Sequence, residues 1–407
     1  MASDGLGSRV SQQGVRQMLF LALIYLIYIS IGLPDAVLGA SWPLMHAAIG
    51  VPMSSAGFIS LVTSCGTIFA SLFSHRAIHR FGTGKVVALS ILFMAIALLG
   101  TALSPSLIWL LVFALPLGLG VGAVDSGLNV YVAQHYQARH MNWLHCFWGL
   151  GAMTGPLLVS FFSAGGYGWQ RSYFTFSLLQ FGLTGLVIMA LPGWKRHQNS
   201  EKIAQHQQPD TQPGRGMMSL FSGKAARLAT LTFFIYTAIE SNMMLWGASY
   251  LVQVKLASPQ TAAAWISLLF LGITAGRLLS GFVSIRLRNE VLIRSASILV
   301  IIGFVLLLIS ADSWLTISAL TLIGFGFAPI FPSMMHETSS NFKMGEVQAA
   351  IGLQMAFAYV GNTVMPPLLG YLYTGISFVW MPLILLFLSM VLYACTSYLF
   401  KLRKISN

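Results

Sequence analysis

Apolar stretches of about twenty residues recur along the whole chain, and that is the length a helix needs to cross a bilayer. Runs such as Ile301–Ile309 and Met381–Leu392 hold no charged residue at all. Of the 407 residues only 8% are charged and 56% are hydrophobic, whereas a soluble domain carries about 25% charge. In lipid every backbone group must be satisfied internally, which leaves helices or closed barrels. A barrel would show alternating segments of about ten residues, but the runs here are continuous. The chain is therefore expected to be an all-α membrane protein, with the lipid bilayer as its solvent.

The expected spans are 17–45, 52–76, 85–103, 106–134, 143–164, 170–191, 226–253, 260–285, 289–311, 314–340, 346–373 and 377–401. The one long polar stretch, 193–224, is rich in Gln, Pro, Gly and charge and has too little apolar content to pack. It divides the chain into an N-terminal bundle (1–192), a cytoplasmic linker (193–224) and a C-terminal bundle (225–407), with six spans in each bundle. Of the 22 Lys and Arg, all but Arg171 and Lys255 fall on the side of the termini and the linker. The positive-inside rule then puts both termini in the cytoplasm of a multi-pass protein, read as one of the bacterial inner (plasma) membrane. Residues 1–16 are polar and the apolar segment after them exceeds signal-peptide length, so it reads as a retained first span.

A net charge of +12 invites a nucleic-acid partner. The basic residues, however, sit in short connections between apolar segments rather than on one face, and no nucleic acid is expected. Cys65, Cys146 and Cys395 are isolated in apolar segments and make neither a metal spacing nor a disulfide framework. There is no H-E-x-x-H, no G-x-S-x-G and no paired metal ligands. Catalytic residues, a metal and a cofactor are accordingly not expected.

The two halves repeat. Tyr28, Gly39-Ala-Ser and Trp42 match Tyr236, Gly247-Ala-Ser and Tyr250. Gly118-Leu-Gly120 matches Gly324-Phe-Gly326, Ser74 and Arg80 match Ser280 and Arg286, and Gly155-Pro156 matches Met365-Pro366. The offset stays between 206 and 210 residues throughout. Two related halves imply a pseudo-two-fold axis along the membrane normal, a midplane site between them, and rocking around that site.

This order of features resembles the major facilitator superfamily over essentially the whole chain. Its loop motif stands here as His79-Arg80-Phe81-Gly82-Thr83-Gly84-Lys85, with His79 where an acid is usual. The C-terminal copy, Gly276-Arg277-Leu-Leu-Ser-Gly281, also lacks the acid, with Ile285 in its place. Within the superfamily the chain is similar to the fucose permease-like sugar/proton symporters. The likeness lies in Asp35, in Tyr236-Thr-Ala-Ile-Glu240 through Trp246 to Tyr250-Leu251, in Asn142-Trp-Leu-His145 through Gly149-Leu-Gly151 to Gly155-Pro156, and in Ala328-Pro-Ile-Phe-Pro332. The resemblance implies a major facilitator fold of two pseudo-symmetric six-helix bundles. It also implies a proton-coupled symporter of a sugar or similar small polar solute that works by alternating access as a monomer.

Three acids lie deep in spans: Asp35, Asp125 and Glu240. A charge at a helix centre costs about 2.5–3.5 kcal/mol on insertion scales. No Lys or Arg is expected at similar depth to pair with them. Desolvation disfavours a carboxylate anion, so such a group can take up a proton on one side and release it on the other. Asp35 follows Pro34, which frees a carbonyl toward a cavity. In the resembled symporters an acid in this span is linked to coupling; sugar hydrogen bonding and a structural role are the alternatives. Asp125 and Asn129 are four apart on one helix face, and the family also has an acid in this fourth span. Its plainer reading is an interhelical hydrogen bond. Glu240 suits a cavity role or a helix clamp equally. Sodium is the alternative coupling ion, since carboxylates and freed carbonyls suit it too.

Sugar hydroxyls want amides and carboxylates, and sugar faces want aromatic rings. The substrate-binding candidates are therefore Asn129, Trp148, Glu240, Asn242, Trp246, Gln354 and Asn362, with Gln180 and Tyr359 behind them. Each has a packing role as its plain alternative. Arg80, His145, Arg277 and Glu337 are candidate gate residues, with Glu337 expected to pair with Arg277 or Arg286. The runner-up function is a proton-driven exporter of drugs or metabolites. Exporters of the superfamily often carry an Arg in the fourth span, where this chain has Ala114, and a glycine pair after Gly-Pro, where it has Val159-Ser160.

Overall fold

A computed structural model of the chain describes residues 4–136, 138–204, 223–284, 286–341 and 347–406. Residues 205–222 of the expected linker lie outside the described residues, as do Ile285, Lys343 and the side chains of Arg139 and Asn142. Twelve helices are present: α1 Asp4–Ile49, α2 Ser55–Phe81, α3 Thr83–Ala102, α4 Leu107–His135, α5 Ala138–Ala164, α6 Gly168–Ala204, α7 Lys224–Gln253, α8 Pro259–Val283, α9 Asn289–Ile309, α10 Ser313–Asn341, α11 Val347–Gly375 and α12 Trp380–Ser406. They match the expected spans in number and order. Two run on further than their apolar cores. α1 starts well before residue 17, and α6 continues to Ala204, so helix covers the first part of the stretch read as linker.

Among the described residues, eleven of the helices are long and apolar enough to span a bilayer by composition. The exception is α11, whose run is diluted by Gln354, Asn362, Pro366 and Pro367. A helix can be this polar in a membrane only if protein shields it, and α11 packs against α7 and α2. Outward faces elsewhere are apolar, with Phe58, Phe69, Leu72, Ile108, Phe161, Leu178 and Phe387 all exposed. Lipid covers such a surface, which in water would drive aggregation.

The packing obeys the repeat seen in the sequence. In the first half α1 lies on α5, α2 and α3 on α4, and α3 on α6. In the second half the equivalent pairs are α7 on α11, α8 and α9 on α10, and α9 on α12. Lipid tails are as apolar as leucine, so these pairs are held by close contact rather than by a hydrophobic force. Glycine sets the distance. A Cβ built at Gly118 would strike the Thr63 carbonyl of α2, one at Gly122 the Thr67 carbonyl, and one at Gly120 the Ser90 carbonyl of α3. In the other half Gly324 meets the Leu269 carbonyl of α8, and Gly326 meets the Ala296 carbonyl of α9. Each fourth helix thus touches two neighbours backbone to backbone.

The loop motif between α2 and α3 is a one-residue turn. Gly82 adopts φ 87°, a left-handed conformation that glycine takes without strain. Gly84 follows and lies flat against the indole of Trp194 on α6. Ser106 and Ser258 accept hydrogen bonds from the amides of Trp109 and Thr261 and so cap α4 and α8.

Gly118→Val and Gly324→Val are expected to lower the thermal midpoint of the detergent-purified protein. Overpacking against a rigid carbonyl costs about 1–3 kcal/mol. Gly182→Ala and Gly185→Ala, which have no atom within 4 Å of the new Cβ, should leave the midpoint unchanged or raise it.

Candidate functional site

Between the two halves lies a cavity of about 960 Å³, near the top of the range of roughly 300–1,000 Å³ for small-molecule sites. Most of its lining comes from α1, α2, α4 and α5 of one half and α7, α8, α10 and α11 of the other. At the end away from the linker it stops at the buried residues Met45, Ile59, Thr101, Leu110 and Tyr173. There Gly39 of α1 abuts the backbone of Met244 and Leu245, and Gly57 of α2 abuts Pro367 of α11. At the linker end the lining includes Ser284 and His336, which are exposed, and Asn289. The cavity therefore opens toward the linker end.

Asp35 faces this space. Gly32 and Gly151 bring α1 and α5 into backbone contact, Gly32 against the Trp148 carbonyl and Gly151 against that of Ile29. That approach puts the Trp148 indole N–H 2.8 Å from Asp35 Oδ2. The Asp35 side chain is enclosed by protein yet accessible through the cavity. The carbonyl freed by Pro34 is that of Ser30, one helical turn back. It points away from the cavity and accepts the Gln180 amide of α6 at 2.8 Å. The expectation of a freed carbonyl at the cavity is thus corrected, and Gln180 is a buried clamp.

Glu240 also lines the cavity, and its Oε1 lies 2.8 Å from the Tyr236 hydroxyl one turn earlier on α7. The same hydroxyl lies 3.1 Å from the Phe327 carbonyl of α10. Its partner in the repeat, Tyr28, lies 3.2 Å from Asp125 Oδ1 on α4. Asn129 donates to the same oxygen at 3.0 Å. Each half therefore seats one carboxylate on the repeated tyrosine. Asp125 and Asn129, however, are not part of the cavity wall. They sit behind Tyr28, whose ring meets that of His145 edge-on at 6.1 Å, and His145 does line the cavity.

The expectation that no basic residue reaches the depth of the acids is overturned by Arg277. Its guanidinium lies in the cavity, 4.8 Å from the centre of the Trp148 ring, a cation–π distance. Glu240 and His145 are near enough to feel its charge. Side chains lean toward the N-terminus of their helix. α8 starts at the far end and α5 at the linker end, so Arg277 and Trp148 lean toward each other.

Of the remaining candidates Asn362 lines the cavity, one turn from Tyr359. Three do not. Asn242 is fully buried and donates to the Ala238 carbonyl of its own helix. Trp246 is buried and donates to the Pro366 carbonyl at 2.8 Å, clamping α7 to α11. Gln354 accepts from Thr338 at 2.7 Å, away from the main cavity. Arg80 is exposed at the end of α2 beside Phe81. Glu337 accepts from Asn289 at 3.1 Å at the mouth. A hydroxyl stripe at Ser60, Thr63, Ser64 and Thr67 of α2 also lines the cavity. Its spacing of three, four and seven was visible in the sequence and went unread.

The Major Facilitator Superfamily model matches residues 24–344 and 228–406. The chain belongs to that superfamily. It is thus a multi-pass membrane protein and a secondary transporter of small polar solutes. The chain is 26% identical over 397 residues to Bypass of stop codon protein 6 of Saccharomyces cerevisiae, covering 88% of this chain and 78% of that one. It is 25% identical over 355 residues to the glucose/mannose transporter GlcP of Bacillus subtilis, covering 85% and 86%. The crystal structure of the nucleoside transporter NupG superposes with a TM-score of 0.77 at 15% identity, over 93% of this chain and 98% of that one. That likeness supports the superfamily fold.

Accessibility separates the cavity residues from the buried ones. With Cys65, Cys146 and Cys395 replaced by Ser, Asn362→Cys and Ser64→Cys should react with a water-soluble maleimide in the native membrane. Asn242→Cys should react only after denaturation.

Proposed function

We propose that this transporter is a proton-coupled symporter of a sugar or similar small polar solute in the bacterial inner membrane. The observation that carries the reading is Asp35. It is a carboxylate within a membrane span, accessible from the cavity and held by a neutral donor, Trp148. A carboxylate there is costly as an anion when the cavity closes and cheap when protonated. Protonation with solute bound permits closure and reorientation, and release of both resets the cycle. Trp148 Nε1–H holds the anion in place between the two events.

Asp125 serves in support. With Tyr28 and Asn129 it forms a second acid site one layer nearer the linker, joined to the cavity through His145. The sugar assignment draws on the hydroxyl- and amide-bearing wall, on the Trp148 ring, on the sequence likeness to fucose permease-like symporters, and on the glucose/mannose transporter among the relatives. Ala114 lines the cavity where an exporter often carries Arg, which favours import. With the linker and termini in the cytoplasm, as the basic residues indicate, the open mouth faces inward.

In proteoliposomes with an imposed inward proton gradient, Asp35→Asn should abolish uphill accumulation of the labelled solute from a sugar panel. Equilibrium counterflow of that solute should persist, because the amide mimics the protonated acid. Normal accumulation by the variant would remove Asp35 from coupling. Asp125→Asn, which sits outside the cavity wall, should slow accumulation without abolishing it.

A further inference from the structure

Arg277 is the one cationic side chain in the cavity wall among the described residues, and none of these holds it in an ion pair. It forms no ion pair within 4.0 Å and donates no hydrogen bond among them. Its ring contact is Trp148. The two acids that share the cavity are each engaged by a neutral donor, Asp35 by the Trp148 indole and Glu240 by the Tyr236 hydroxyl. The five N–H donors of the guanidinium are therefore open to whatever enters. An ionisable side chain at this depth in a membrane protein is retained for function or for a partner.

We propose that the solute carries a carboxylate, which Arg277 holds through its paired N–H groups, so that the transported class is a polyhydroxylated monocarboxylate such as a uronate. This rests on the reading of the cavity as the solute site. The planar guanidinium fork matches a carboxylate with two parallel hydrogen bonds. A neutral hydroxyl takes one donor and leaves the rest of the fork unfilled. The hydroxyl stripe of α2 and Asn362 face the same space and suit the remaining hydroxyls.

Charge accounting sharpens the inference. In the empty cavity of the proposed cycle Asp35 is the ionised acid, and Arg277 is the one cation of the wall among the described residues. When Asp35 takes up a proton and an anionic solute binds, one negative charge leaves and one arrives. The cavity carries the same net charge on both legs, and proton-coupled movement of the anion is electroneutral. A neutral sugar moving with one proton would be electrogenic.

The test uses labelled D-glucuronate and D-glucose with the full chain in proteoliposomes under an inward proton gradient, and thermal shift in detergent as a separate binding readout. The expected result is saturable glucuronate accumulation that does not respond to an inside-negative potential set with valinomycin. Glucose should be roughly tenfold or more weaker. Glucuronate should raise the melting midpoint of the wild type and not of Arg277→Gln. Arg277→Lys, which keeps the charge and loses the fork, should bind about tenfold more weakly. Glucose accumulation with glucuronate left outside would overturn the carboxylate inference and leave the symport reading standing. Arg277-dependent binding of glucuronate without proton-driven uptake would support the carboxylate site and overturn the symport reading. No binding and no uptake of glucuronate would overturn the inference outright.

Discussion

Contact between helix backbones at glycine is the constraint on which the rest of this structure depends. In lipid no hydrophobic force pulls helices together, and what remains is shape and polar contact. Gly118 and Gly122 seat α4 on α2, Gly324 and Gly272 seat α10 and α8 on one another, and Gly32 and Gly151 seat α1 on α5. Between the halves Gly39 and Gly57 do the same against α7 and α11, and Gly149 makes room for the Thr274 side chain of α8. The site inherits its geometry from these contacts. Move α5 out by the width of a methyl group and the Trp148 indole no longer reaches Asp35. Smooth glycine faces also let one half rock against the other without unlocking interdigitated side chains.

The polar groups follow a second rule: each of the three carboxylates set deep in the spans is met by a neutral donor from the same half. Asp35 has Trp148, Asp125 has Tyr28 and Asn129, and Glu240 has Tyr236. A neutral donor stabilises the anion less than a cation would, and so leaves the acid free to change its protonation state. A buried salt bridge would lock it. Arg277 obeys the same logic in reverse, since it lies against an aromatic face rather than against an acid. Among the described residues the charged groups of the cavity are thus met by neutral partners rather than by opposite charges.

Much of this was legible in the sequence. Span length and the scarcity of charge fixed the helical membrane class, and the repeated Tyr, Gly and Arg positions announced two equivalent halves. Asp35, Trp148, Glu240 and Asn362 were nominated from residue type and depth, and all four line the cavity. The failures have a common cause. Depth along a helix can be read from sequence, but the side a residue faces cannot, when polar residues occupy several faces. Asn242 and Trp246 flank the cavity-facing Glu240 and Met244 on α7, yet turn into the bundle to bond α7 itself and α11. Gln354 finds Thr338 instead of the cavity. Arg277 was named as a gate residue beside Glu337, and its depth in the cavity was not foreseen. The backward lean of helical side chains carries its charge a turn deeper than its α-carbon.

The central claim is that a cavity carboxylate exchanges its proton in step with solute. It is tested most directly by following external pH in a weakly buffered suspension of de-energised vesicles as solute is added. The wild type should give a transient alkalinisation outside, absent with Asp35→Asn and abolished by a protonophore. Solute entry with no change in external pH would contradict it.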